Sequence, residues 1–389
     1  MRTLFFRYYN CLFNAKAILG SSRLAWIDYA KGLTIILVVY HHSFLTLINA
    51  GVKVAPWLIN ANLAVYAFRM PMFFILSGLF ITRSVAKRGG KKYIENRASL
   101  LLYPYFLWGI MQASFGIFFS EYTAANWRAQ RYLLLFYQPS TTSQLWYLIT
   151  LFNTGLLFVI VGVKLKFGLW QQFAFGILLY ILSPLLFFNS MIQDTTRYYV
   201  YLVFGSLISK FILKRENFGL ISSSKLTLPL GLLAFLSQYY LFEHQYFYLL
   251  ERHLQFVNLT FWSALRHLAG IFIFTVIVVL GCAFVLNVCA ILQRRKCIRF
   301  LRVVGYHSLY IYLMHVLVVV GIRIFSINFL GYTNPFVILP IQIIVGVLGP
   351  VIVYNLFKRW GLTLLFEYEP GDVRKMFRNV NVLLKYKKT

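Results

Sequence analysis

Residues Trp26–Phe44, WIDYAKGLTIILVVYHHSF, are long and apolar enough to cross a bilayer, yet they carry Asp28, Lys31, His41 and His42. An ionisable group inside a spanning helix costs roughly 2.5–3.5 kcal/mol on insertion scales, so such groups are rare and point to function by default. Lys31 and His42 stand eleven residues apart. At about 100° per residue that puts them within about 20° of one helix face and about 16 Å apart along the axis. One face of one helix therefore holds a cation near one membrane surface and an imidazole three turns deeper. Asp28, one turn before Lys31, can pair with it. The plainer reading is a snorkelling Lys31 at a helix end and two packed histidines; the four groups together favour a site.

Composition sets the class. Of the residues, 60% are hydrophobic, 19% aromatic and 12% charged, and mean hydropathy is +0.70. A soluble domain carries about 25% charged residues, so this is an all-α, polytopic membrane protein whose first partner is the lipid bilayer. The formal charge of +28 could suggest nucleic acid. The basic residues, however, fall in short clusters between apolar runs, with no recognised binding module, so no nucleic-acid partner is expected. Cys11, Cys282, Cys289 and Cys297 form neither a CxxC pair nor a Cys/His metal spacing. Neither a disulfide framework nor a metal site is expected, and Cys282 and Cys289, two turns apart, read as small core residues.

Runs of about 20 apolar residues predict ten spans, near 24–48, 61–82, 98–119, 145–163, 171–189, 196–213, 226–243, 263–292, 305–326 and 335–357. The eighth is long and could begin outside the hydrocarbon. No removable signal peptide is read in the first 23 residues. Most of the 38 Lys and Arg residues fall on one side of this pattern: Arg2, Arg7, Lys16 and Arg23, then the Arg83–Arg97, Lys164/Lys166, Lys210–Lys225 and Arg294–Arg302 loops, then the chain from Lys358. The opposite loops hold Lys53, Arg128, Arg131, Arg197, Arg252, Arg266 and Arg323. The positive-inside rule then places both termini in the cytoplasm. Three parts follow: a cytoplasmic tail over 1–23, a membrane domain over 24–357 and a basic cytoplasmic tail over 358–389. The longest outer connections are about 120–144 and 244–262. No internal repeat is read, nor the inverted pair of broken helices expected of a transporter.

Other polar positions converge on the first span. Arg69 lies about 12 Å into the second span, roughly level with His42; its plainer reading is an outward-snorkelling interfacial residue. Pro71 and the Ser77-Gly78 pair mark a helix that bends or lets a neighbour close. His315 is near the middle of the ninth span, where a lone histidine usually bonds helix to helix. Lys91, Lys92 and Arg97 form a basic entrance below Lys31, although topology alone accounts equally well for the two lysines.

These segments resemble a known family. WIDYAKGLTIILVVYHH is similar to an acidic residue, Arg/Lys-Gly, apolar run and His in which ten residues separate the basic residue from the His, a spacing that selects Lys31 and His42. FRMPMFFILSGLF resembles a second-span Met-Pro-x-Phe-Phe…Ser-Gly motif, NRASLLLYPYF a basic loop, LWYLITLF a Trp-Tyr/Phe-Leu motif, and GYHSLYIYLMHVL a late Ser-Leu-x-Ile-Tyr-Leu-x-His motif. In order over about 23–357, they resemble acyltransferase family 3, membrane enzymes that move acetyl or other acyl groups onto bacterial surface carbohydrates. Two departures stand out. The family's Arg-x-x-Arg has Leu100 after Arg97 here, and Val316 follows the late His in place of Pro. No hydrolase-like domain is read after the tenth span, so the chain is expected to act alone or with separate partners.

The resemblance implies a bacterial plasma (inner) membrane enzyme with acetyl-CoA or another acyl-CoA as donor substrate, no bound cofactor and a carbohydrate acceptor. Lys31, Lys91, Lys92 and Arg97 would bind the nucleotide head, with the pantetheine arm extending up past Lys31 toward His42. His42 would act as base on the acceptor hydroxyl or carry the acyl group, Arg69 would stabilise the oxyanion, and Asp28 would hold Lys31. His315, Trp146 and Ser77 are structural or acceptor-site candidates. A transporter or flippase of a lipid-linked sugar is the competing reading, and a lipid or small-molecule acceptor is a third.

Overall fold

In the computed structural model of the protein, residues 12–120, 128–142, 144–243 and 261–368 are described, and every regular element among them is helical. A chain in lipid must satisfy its backbone groups internally, and helices do so within each segment. Ten long helices form: α1 Ala25–Asn49, α2 Tyr66–Arg88, α3 Tyr103–Phe118, α4 Trp146–Val159, α5 Leu169–Leu182, α6 Ser190–Ile212, α7 Ser224–Glu243, α8 Phe261–Arg295, α9 Ser308–Ile324 and α10 Pro335–Arg359. They answer one for one to the ten expected runs, but eight meet the length and apolarity of a span, or nine with one bent pair. The exceptions are physical. α6 opens with a polar stretch containing Gln193, Asp194 and Arg197. α7 follows a helical stretch, Arg215–Ile221, at a 59° bend.

Two groups of helices make the bundle. α1 is the hub of one, touching α8, α9 and α10. α2 and α6 are the axis of the other, with α4 and α5 against α6. Small residues set both crossings. A side chain at Gly305, in the short helix Phe300–Tyr306, would run into the backbone of Asp28, and one at Gly32 into that of Leu301. A side chain at Gly78 would meet Leu202, and one at Gly205 would meet Ile75. Without a hydrophobic drive between helices in lipid, such close backbone approach supplies the packing energy; Gly78 does here what its sequence context predicts. The outward faces are apolar: Phe272 is 70% exposed, Leu228 71% and Phe235 64%, surfaces that lipid rather than water would cover.

Pro104 cannot donate a backbone hydrogen bond, and the turn before it widens over Ala98–Leu102, just after Arg97. Beyond α10 the expected tail instead packs inward as far as Phe366, which is 1% exposed between Trp108, Tyr310 and Tyr354. Tyr103 Oη and Trp108 Nε1 donate to the carbonyls of Leu364 and Leu365, each at 2.7 Å. The stretch 361–366, GLTLLF, is itself apolar and joins an aromatic cluster. The first 11 residues with Cys11, residues 121–127 and 143 of one outer connection, 244–260 of the other, and the tail from 369 lie outside the described residues.

Candidate active site

Where the two helix groups meet, α1 presents His42 to His315 on α9, with ring centroids 5.1 Å apart. His315 is fully buried. Its Nδ1 lies 3.0 Å from the Ile311 carbonyl and 2.9 Å from the Tyr312 carbonyl. Carbonyls only accept, so Nδ1 carries the proton and Nε2 of the neutral ring carries the lone pair. That Nε2 has no hydrogen-bond partner among the described residues. A second network fixes α9 about its axis: Tyr312 Oη donates to the Gln144 carbonyl, Gln144 Nε2 to Gln112 Oε1 at 2.9 Å, and Gln112 Nε2 to the Leu313 carbonyl at 2.9 Å.

His42 opens on a cavity of about 450 Å³. Arg69 and His41 share that wall. Arg69 is 3% exposed and does not snorkel outward; its Nη1 donates to the Leu37 carbonyl and to Asn62 Oδ1, both at 3.2 Å, and its guanidinium lies 4.7 Å from the Tyr66 ring centroid. His41 Nδ1 is 3.2 Å from the same Asn62 oxygen and its ring packs on His42 at 5.3 Å. Reading one helix face alone turns His41 away, but the cavity is wide enough for both histidines to line it. Pro71 is also on this wall, beside Ala67, and without an N–H it cannot donate the regular helical hydrogen bond to the Ala67 carbonyl.

The opposite wall was not legible in advance. The start of α6 contributes Gln193, Asp194 and Arg197, and the loop before α4 contributes Gln138 and Ser140. A clasp joins these elements: Gln138 Nε2 donates to the Phe188 carbonyl at 2.8 Å, Gln138 Oε1 accepts from Ser190 N at 3.2 Å, and Ser140 N donates to Ser190 Oγ at 3.4 Å. Asn189 caps α6 by accepting from Ile192 N at 3.2 Å. Between the walls stand Trp146 and Tyr198, ring centroids 5.3 Å apart. The signal in the sequence was the polar run QDTTR just ahead of an apolar segment.

The basic end is organised differently from expectation. Asp28 Oδ1 pairs with Arg23 Nη2 at 3.4 Å rather than with Lys31, because the chain entering α1 folds Arg23 back over the first turn. Lys31 is not part of the cavity wall; the charges that reach it are Arg23, Asp28 and Arg97. Arg97 lies 5.4 Å from the Tyr93 ring centroid and its field extends to Tyr147. Tyr147 hydrogen-bonds Ser77 and packs on Tyr312 at 5.4 Å, and Tyr312 packs on His315 at 5.8 Å. Phenol rings thus bridge the interval from Arg97 to the histidine pair. Lys91 and Lys92 are exposed and stand apart, Lys92 beside Glu95 at 3.4 Å. Cys282 and Cys289 are buried. Among the described residues no three His, Cys, Asp or Glu side chains gather into a set that could hold a metal ion.

An acyltransferase domain profile matches residues 24–355. The chain belongs to acyltransferase family 3. The matched stretch of this family member contains the cavity residues and the histidine pair, from Asp28 to His315, while Arg23 lies just before it. The nodulation protein NolL of Mesorhizobium japonicum is similar, 33% identical over 81 residues, which are 21% of this chain and 21% of NolL. The chain therefore spans about a fifth of the length of that relative. No solved structure matches the chain.

Proposed function

We propose that this multi-pass membrane protein is an O-acyltransferase of the bacterial inner membrane, moving an acyl group, acetyl in the simplest case, from cytoplasmic acyl-CoA to a carbohydrate hydroxyl on the far side. The carrying observation is the contact of His42 with His315 at the edge of the cavity, on a helix that bears Lys31 three turns away.

In the reacting complex the His42 ring would turn to donate its N–H to His315 Nε2, which has no other hydrogen-bond partner among the described residues, and this leaves the other His42 nitrogen as the base. That nitrogen takes the proton of the acceptor hydroxyl as the oxygen attacks the thioester carbonyl carbon. Arg69 stabilises the oxyanion of the tetrahedral adduct. The C–S bond breaks, the thiolate leaves, and the His42 proton passes to it to give free CoA. Arg97 and Lys31 hold the anionic head, and the interval between them and His42, about 16 Å of helix, suits the thin pantetheine arm. The exposed Lys91 and Lys92 attract the donor at longer range. Asp28 sets the local charge through Arg23. Neither a metal nor a second cofactor enters these steps.

The test compares cells with and without this protein by mass spectrometry of surface glycans and lipids. One acyl mass lost from a carbohydrate is the expected result. An unchanged glycan profile, or purified protein that releases no CoA from acetyl-CoA, overturns the reading and favours a carrier without chemistry; the lost mass on a lipid or small molecule changes the acceptor alone.

A further inference from the structure

The wall facing the histidines holds an acid that the transfer steps leave unused. Asp194 is 6% exposed yet lines the cavity. The Ser140 hydroxyl hydrogen-bonds its carboxylate and Arg197 supplies the nearest positive charge. Its Oδ2 has no hydrogen-bond partner among the described residues. A buried carboxylate oxygen without a partner costs free energy unless something occupies it, and a carboxylate only accepts, so the missing group is a donor. Gln193 stands one residue away on the same wall, and Trp146 and Tyr198 supply apolar ring faces between the two walls. An aromatic-lined cleft with a few convergent polar groups, at this volume, is of the kind that takes a small ligand.

We propose that Asp194 is the specificity-determining residue of the acceptor subsite. On the transferase reading above, it accepts a hydrogen bond from a hydroxyl of a hexose-like ring next to the one being acylated, while Trp146 and Tyr198 cover the ring's C–H face. The subsite is preorganised. The Gln138 clasp ties the Ser140 loop to the start of α6, so the carboxylate and its Ser140 partner are held before a sugar arrives. Together the two walls define a direction for the reaction: Asp194 orients the ring and His42 deprotonates it.

The experiment uses the full chain in nanodiscs, with the methyl glycosides of glucose, galactose, mannose and rhamnose and with acetyl-CoA as separate probes, read by thermal unfolding and tryptophan fluorescence. At least one glycoside is expected to bind the wild type and to bind about tenfold more weakly to Asp194→Asn, which keeps the shape and removes the charge. The acetyl-CoA shift is expected to persist in that variant. Ser140→Ala, which removes the carboxylate's partner, is expected to weaken the same glycoside less; it carries the test if Asp194→Asn does not fold. No glycoside bound by the wild type, or both variants binding like it, overturns the subsite. Failure of the transferase reading looks different: acetyl-CoA then gives neither a shift nor free CoA, while sugar binding still depends on Asp194.

Discussion

His42 and His315 form a pair in which one ring has its tautomer set by backbone carbonyls and the other does not. The two should therefore fail differently. His42→Ala is expected to lower transfer by about 10²–10⁴-fold, the usual contribution of a positioned base, with insertion intact. His315→Ala is expected to cost on the order of 10–100-fold, as loss of an orienting partner does. His41→Ala should lose the least, because its Nδ1 is already committed to Asn62. The measurement is acylated product per folded protein in matched membranes. An active His42→Ala, or a dead His41→Ala beside it, means the wrong ring has been assigned. At the basic end, Arg97→Ala is expected to raise the acetyl-CoA KM about tenfold through the lost charge-assisted contact at constant expression; an unchanged KM leaves Arg97 as a packing partner of Tyr93.

At the scale of elements, the bundle depends on two crossings with no room for a side chain. Gly305→Ala is expected to cost about 1–3 kcal/mol, the range for overpacking, because the obstruction is Asp28 backbone and not a flexible tip. Thermal unfolding in detergent would read it, and a variant as stable as wild type would mean the short helix Phe300–Tyr306 can slide along α1. The same scale separates what could be read in the sequence from what could not. Lys31 and His42 share one helix, so periodicity alone relates them. The close approach at Gly78 follows from its small neighbour Ser77 and an apolar context. The partner of Asp28 was hidden because Arg23 precedes the helix, where no periodic rule applies. Asp194 and Ser140 come from elements some fifty residues apart, and only the fold brings them to one wall. His315 could be noticed alone, but its partner could not be named.

For the whole molecule, the distribution of basic residues sets the expected direction of transfer. Reporter fusions at residue 90 and at residue 389 should both report the cytoplasm; a reporter found outside at either place reverses the side from which donor and acceptor are drawn. The Arg83–Arg97 cluster follows the C-terminal end of α2, while Arg69 and the cavity lie near its N-terminal end, which is the outer end in that orientation. The two substrates would then meet at the histidine pair without either crossing the membrane.

Pro71 gives α2 a feature that side-chain scanning cannot detect. Its ring nitrogen has no hydrogen, so the Ala67 carbonyl is denied its regular helical donor, and both residues border the cavity. An acceptor made of main chain survives every alanine substitution except the one at the proline itself. Pro71→Ala restores the donor and is expected to raise the unfolding temperature while lowering turnover. That opposition between durability and rate is the mark of a site whose helix is kept imperfect for use, and a variant that gained both would show the proline to be mere bend.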